Sequence, residues 1–219
     1  MQDKIIMINS FEKYAQKYDK WFDNTPFTFF SELKLIISLM PKRGKGIDIG
    51  VGTGKFAQAL GITTGVEPSL KMGEFAKKRG IKVYRAKAEK LPFKRGCFNY
   101  AVMITVLSFL NDPDKAFKEI YRILKKKGHF IIVFVDKDSP VGKYYLKERS
   151  KSKFYGKFYS VSEVIDLLNK HKFSVQIIRQ TLFSAISYIK EKDLKKIEKF
   201  KDGYGEGSFV GIKALKKDG

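Results

Sequence analysis

From residue 46 onward, short apolar runs of strand length alternate with stretches whose apolar positions recur at helical spacing. This alternation predicts a doubly wound, mostly parallel α/β sheet covered on both faces by helices, a three-layer fold. The first strand is "KGIDIG", with a helix opening after Gly54. "TTGVEP" is the second strand, and "SLKMGEFAKKRG" is a helix begun by Ser69 as N-cap and closed by Gly80. "IKVYRA" and "FNYAVMIT" are the third and fourth strands, joined by the loop "KAEKLPFKRG". "NDPDKAFKEIYRILKKKG" carries the strongest helical pattern, with Pro113 near its start and basic residues before Gly128, and "HFIIVFVD" is a buried fifth strand.

Residues 139–160, "SPVGKYYLKERSKSKFYGKFYS", are aromatic and basic and fit no period, which suggests a partly helical excursion over the site. "SVSEVIDLLNKHKF" is a helix with a capping box at Ser160 or Ser162. "SVQIIRQTLF" and "GSFVGIKAL" are the last strands, expected to pair antiparallel. Residues 9–40 form two helices. The expected organisation is one domain, with a helical cap over 1–40 on a core of 41–219.

The length of 219 residues suits one such domain, and a hydrophobic fraction of 43% with 19 Phe and 11 Tyr supplies its core. No run reaches the roughly 18 apolar residues of a membrane span, and the charged, aromatic start lacks a secretory apolar region, so a cytoplasmic protein is expected. Cys97 is the sole cysteine, which excludes an intramolecular disulfide and a thiolate metal cluster within one chain. The formal charge of +21 can attract nucleic acid or anionic membrane, but the lysines are spread in short runs such as "KKRG" and "LKKKG" that read as a solvated surface. Abundant Lys and Glu with few Asn, Gln and Cys resembles thermophile composition.

The stretch "GIDIGVGTGKFA" admits three readings. An ATP loop needs Ser or Thr after Gly-Lys and a Gly five residues before the second Gly; here Phe56 and Ile49 stand there. A dinucleotide turn needs a third glycine where Lys55 stands. What remains is G-x-G-x-G preceded by Asp48, with Glu67-Pro68 ending the next strand, where a carboxylate can accept from ribose hydroxyls.

With "GIDIGVGTGKF", "GVEPS", "AEKLPF" and "AFKEIYRILKKKGHFIIV" in this order, the chain resembles the class I S-adenosylmethionine-dependent methyltransferases of small-molecule type over roughly residues 11–180. The resemblance implies a Rossmann-like fold, S-adenosylmethionine as cofactor and S-adenosylhomocysteine as product. It implies that Gly50, Gly52 and Gly54 let backbone approach the methionine part of the cofactor, with Asp48 near its amino group. Glu67, with Pro68 beside it, would hold the ribose, and backbone around Ala88 and Glu89 would read the adenine. Lys87 stands where the family usually has an acceptor Asp, so that contact is absent or made elsewhere. Thr105, with Val106 and Leu107, would line the junction of cofactor and acceptor, and Tyr18 of "FEKYAQKYDKWF" would lie over the cofactor.

The sulfonium is already a strong methyl donor, so the protein's main task is to align a desolvated acceptor. His129 opens the fifth strand, His171 ends the helix before the sixth, and Cys97 precedes the fourth, all at the edge away from the expected site. The better-placed polar groups are Tyr18, Asp19, Asp136 and Tyr144. The expected partner is a small-molecule methyl acceptor, with no metal. An RNA methyltransferase and a non-catalytic S-adenosylmethionine-binding protein are the competing readings.

Overall fold

The computed structural model describes residues 2–148 and 156–218. Five strands make the parallel half of a single sheet: β1 (Gly46–Ile49), β2 (Thr64–Val66), β3 (Lys82–Tyr84), β4 (Phe98–Ile104) and β5 (Leu124–Val135). They lie in the order β3-β2-β1-β4-β5. The sheet is completed by β6 (Phe173–Thr181), the two-residue β7 (Lys201–Asp202) and β8 (Phe209–Lys216). β8 inserts antiparallel between β5 and β6, and β7 closes the edge antiparallel to β6. This is the Rossmann-like sheet with an antiparallel last strand that the pattern predicts.

The central strands read as unbroken apolar runs because both faces are covered. Phe130 and Ile132 of β5 face one core with Phe117 and Ile120 of α5 (Pro113–Ile123) and Val164 and Leu168 of α7 (Val161–Lys170). Their neighbours Ile131 and Val133 face the other. There they meet Leu35 and Ile36 of α2 (Pro26–Leu39), Phe56 of α3 (Lys55–Ala59) and Ala76 of α4 (Leu70–Lys78). α2 comes this close because β8 carries Gly211, where an added Cβ would stand 2.6 Å from Leu35 and 2.5 Å from Leu39. The N-terminal segment therefore supplies part of a core layer.

Helix starts follow the side chains. Ser69 accepts from the Met72 amide, and Asp112 from Lys115 ahead of Pro113. Ser160, not Ser162, forms the capping box with Glu163. One boundary differs from the pattern: α5 stops at Ile123, and Leu124 is already extended in β5 opposite Phe98. Leu124 is fully buried in that conformation, so apolar spacing alone could not separate helix from strand there. The break comes at the following residues, where Lys127 has φ +57° and an irregularity precedes the pairing of Tyr100 with His129.

Ser139 caps α6 (Pro140–Lys147), the helical part of the excursion, while residues 149–155 lie outside the described ones. α1 (Gln2–Asn24) kinks at Tyr14 and runs against α4, and α8 (Ala185–Glu191) packs against α6. The chain leaves β1 toward β2 on one side and returns to β4 on the other. A crevice beyond the carboxyl ends of β1 and β4 is the usual ligand position in such sheets.

Candidate functional site

At the end of β1 the amides of Gly50 and Val51 both donate to the Val66 carbonyl, folding the glycine turn back over β2. Gly50, Gly52 and Gly54 all have positive φ, +79°, +55° and +83°. Their surroundings differ. A Cβ on Gly50 would run into Val106, and one on Gly54 would lie 2.6 Å from Ile81 and 3.0 Å from Ala76. These two glycines answer to packing within the fold. A Cβ on Gly52 would meet only the Tyr18 ring at 3.9 Å, so its backbone borders open space.

Two carboxylates flank that space. Glu67 accepts from the Gly52 amide (3.0 Å) through one oxygen and from Ser69 (2.9 Å) through the other. Burial pushes its pKa up to about 7, with those two amides pulling the other way. A carboxylate has about four acceptor positions, so Glu67 retains capacity for hydroxyl donors. Asp48 is 2% exposed, and its Oδ1 is buried with no hydrogen-bond partner. Burial first, and the field of Glu67 second, push its pKa up to about 8. An unpaired acceptor this deep is costly and calls for a cationic or donor ligand. The ammonium of S-adenosylmethionine at Asp48, its ribose at Glu67 and close backbone contact at Gly52 fit these residues.

α1 is fastened across the turn. The Glu12 carboxylate accepts from the amides of Leu70 and Lys71 at the start of α4, and Asp23 pairs with Lys55. Arg79 donates to Asp19 and to the Thr53 carbonyl, both at 2.9 Å. Asp19 Oδ1 and Thr53 Oγ1 are further buried oxygens without a partner. Asp19 thus binds Arg79 and holds the helix down. Tyr18 packs edge-on against Phe22, and burial with the fields of Glu32, Glu67 and Asp48 raises its phenol well above the ordinary value. Thr105 turns at φ +56° and donates to the Val133 carbonyl through its amide and to the Ile104 carbonyl through its hydroxyl. A non-glycine residue held there is backbone strain of the kind found at ligand sites.

The remaining expected residues have other surroundings. Pro68 is half-buried ahead of the Ser69 cap, and Lys87 is exposed. Ala88 packs into the core, while Glu89 accepts from the Asn111 amide (2.7 Å) and from Asp112, pinning the approach to α5. Leu107 is core, and Val106 packs on Gly50. Asp136, at the end of β5, is buried and raised by desolvation, but its carboxylate is held by the amides of Asp138 and Val161 and so tightens the turns into α6 and α7. Tyr144 is 37% exposed, whereas Tyr145 beside it turns inward to bond the Tyr188 hydroxyl. His171 is committed to Asp114 at 2.7 Å, and His129 is half-buried where the regular β5 pairing begins. Among the described residues no His, Cys, Asp and Glu group could hold a metal, and no helix is long and apolar enough to cross a membrane.

The sequence reading passed over Glu32, Tyr145 and Tyr188. Glu32 had a readable signal: it lies on the same stripe of α2 as Thr28, Leu35, Ile36 and Leu39, all buried. Its pKa is pushed by burial up to about 8.

Residues 47–132 match the family described as "Methyltransferase domain". The structure superimposes with a TM-score of 0.91 on a Thermotoga maritima SAM-dependent methyltransferase described as a possible histamine N-methyltransferase, 43% identical, over 96% of this chain and 100% of that one. The Methanocaldococcus jannaschii protein MJ1123 is 44% identical over 95% of this chain and 100% of its own length. The ubiquinone/menaquinone biosynthesis C-methyltransferase UbiE of Rickettsia bellii is 31% identical over 74% of this chain and 70% of its own. The chain belongs to the class I S-adenosylmethionine-dependent methyltransferases.

Proposed function

We propose that this methyltransferase acts on a small-molecule acceptor, held beneath a lid formed by the helical cap of α1 and α2 and by α6, with 41–219 as the catalytic core. The observation that carries this reading is the fastening of α1 across the glycine turn by Glu12, Asp19 and Asp23. A site roofed by a tied helix suits a compact acceptor better than a polynucleotide strand. When bound, S-adenosylmethionine supplies an electrophilic methyl group on sulfur.

The chain's own residues bind, orient and exclude water. Asp48 pairs with the cofactor's ammonium, Gly52 admits its backbone, Glu67 takes the ribose hydroxyls, and backbone at Ala88 and Glu89 borders the adenine. Tyr18 and Thr105 close the side facing the acceptor. Alignment in a dry site supplies most of the rate.

Labelled S-adenosylmethionine incubated with a small-metabolite extract and, separately, with bulk tRNA tests the acceptor class. Label is expected in the small-molecule fraction. Label in tRNA alone would overturn the proposal.

A further inference from the structure

Glu32 is 6% exposed, yet among the described residues no hydrogen bond or ion pair reaches its carboxylate. Buried acids in folded proteins are almost always partnered, and an unpartnered one marks a ligand more often than a packing role. Its setting is built firmly. Asp193 caps the start of α2 through the Thr28 amide (2.8 Å) and hydroxyl (2.7 Å), and Ser31 accepts from the Glu198 amide (2.8 Å). These bonds fix α2 to the segment that follows α8.

Tyr18 of α1 and Tyr188 of α8 pack on the core cluster that holds Leu33 and Ile36, the neighbours of Glu32 on α2, and the charge of Glu32 raises the phenols of Tyr18, Tyr188 and Tyr145 of α6. The hydroxyls of Tyr145 and Tyr188 are 2.5 Å apart, and Phe158 stacks on Tyr145. Tyr18 also borders Gly52, whose added Cβ would lie 3.9 Å from its ring, so this cluster adjoins the cofactor side of the site.

We propose that Glu32, Tyr145 and Tyr188 form the acceptor subsite and that it takes a cationic amine, Glu32 pairing with the ammonium and receiving its proton. This rests on the methyltransferase reading above. Carboxylate and phenol oxygens satisfy an ammonium's N–H donors, and aromatic walls favour a cation.

An alcohol is too weak an acid for a carboxylate to deprotonate, whereas an alkyl ammonium, near pKa 10 like a lysine, is much closer in acidity, and burial narrows the gap by raising Glu32. In the step, an ammonium N–H bond breaks and a carboxyl O–H bond forms, leaving its electron pair on nitrogen. That pair makes the N–CH3 bond, and the pair of the broken S–CH3 bond stays on sulfur as the thioether.

The test is calorimetric binding of a panel of aliphatic and aryl-alkyl primary amines, each beside its matching alcohol, to the full chain saturated with S-adenosylhomocysteine. Amines are expected to bind and the alcohols to bind at least tenfold more weakly, about 1.4 kcal/mol. Glu32→Gln should lose amine binding by at least about tenfold while S-adenosylhomocysteine affinity stays within about twofold. Should Glu32→Gln fail to fold, Tyr145→Phe is expected to weaken the amines selectively, by about threefold to tenfold. Equal binding of amines and alcohols, undiminished amine binding in these variants, or no amine binding to the loaded protein would overturn the proposal. Failure of the wild-type chain to bind S-adenosylhomocysteine would strike the cofactor reading beneath it instead.

Discussion

The two halves of the site are made differently. The centre of the cofactor half is one continuous stretch, from β1 through the glycine turn to the Ser69 cap, and most of its geometry is backbone: the Gly50 and Val51 amides on Val66, and the Gly52 and Ser69 amides on Glu67. The proposed acceptor half is side chains delivered singly by α1, α2, α6 and α8, packed together where Tyr145 bonds Tyr188. A backbone-built site needs special residues in fixed order, whereas a site of converging side chains needs only one suitable residue per helix. The first kind resists substitution by fold, the second by chemistry.

The largest effects should separate packing from binding inside the cofactor half. Gly50→Ala adds a Cβ against Val106 at φ +79°, so it is expected to destabilise the chain by about 2–4 kcal/mol, read by urea denaturation. Gly52→Ala meets open space and keeps only the φ cost, about 1–2 kcal/mol, yet should weaken S-adenosylhomocysteine at least about tenfold by crowding it. Equal stability losses with unchanged affinity would erase the distinction between the two glycines.

Asp48→Asn comes next. Removing the charge that pairs with the cofactor ammonium should cost about 1.5–3 kcal/mol of binding, roughly tenfold to a hundredfold by calorimetry. The same change should raise the melting point of the free protein, because a buried carboxylate with an unpartnered oxygen is replaced by a neutral amide. A variant that binds as tightly as wild type would place the cofactor elsewhere.

That contrast also explains what the sequence made legible. The alternation of strands and helices, the Ser69 and Ser160 caps and the antiparallel β6–β8 pairing follow from local pattern, which nearby residues carry. Asp48, Gly52 and Glu67 stand out because the turn puts them in one short reach of chain. Glu32, Tyr145 and Tyr188 come together only once α2, α6 and α8 are packed, and nothing in "YY" says which tyrosine of the pair turns inward. Leu124 eluded the pattern for a related reason, since burial is the same in helix and strand.

The smallest effect is a pH dependence that the two halves should share when empty and part company over when the cofactor binds. Asp48 and Glu32 both have folded pKa values raised to about 8 from 3.8 and 4.5. A raised acid binds its proton more tightly in the folded state, so its stabilising contribution is complete below the unfolded value and lost as pH rises through the folded one. Between about pH 4.5 and 8 each group should therefore lower the melting temperature progressively as pH rises. The pH slope of wild type minus that of Asp48→Asn, and minus that of Glu32→Gln, isolates each group from His129, whose lowered pKa acts in the opposite direction. Saturation with S-adenosylhomocysteine supplies Asp48 with an ammonium partner and holds it ionised, so the Asp48 difference should shrink toward zero while the Glu32 difference persists. A cofactor that flattens both differences equally would mean that Glu32 belongs to the cofactor half, and the division into two chambers would fail.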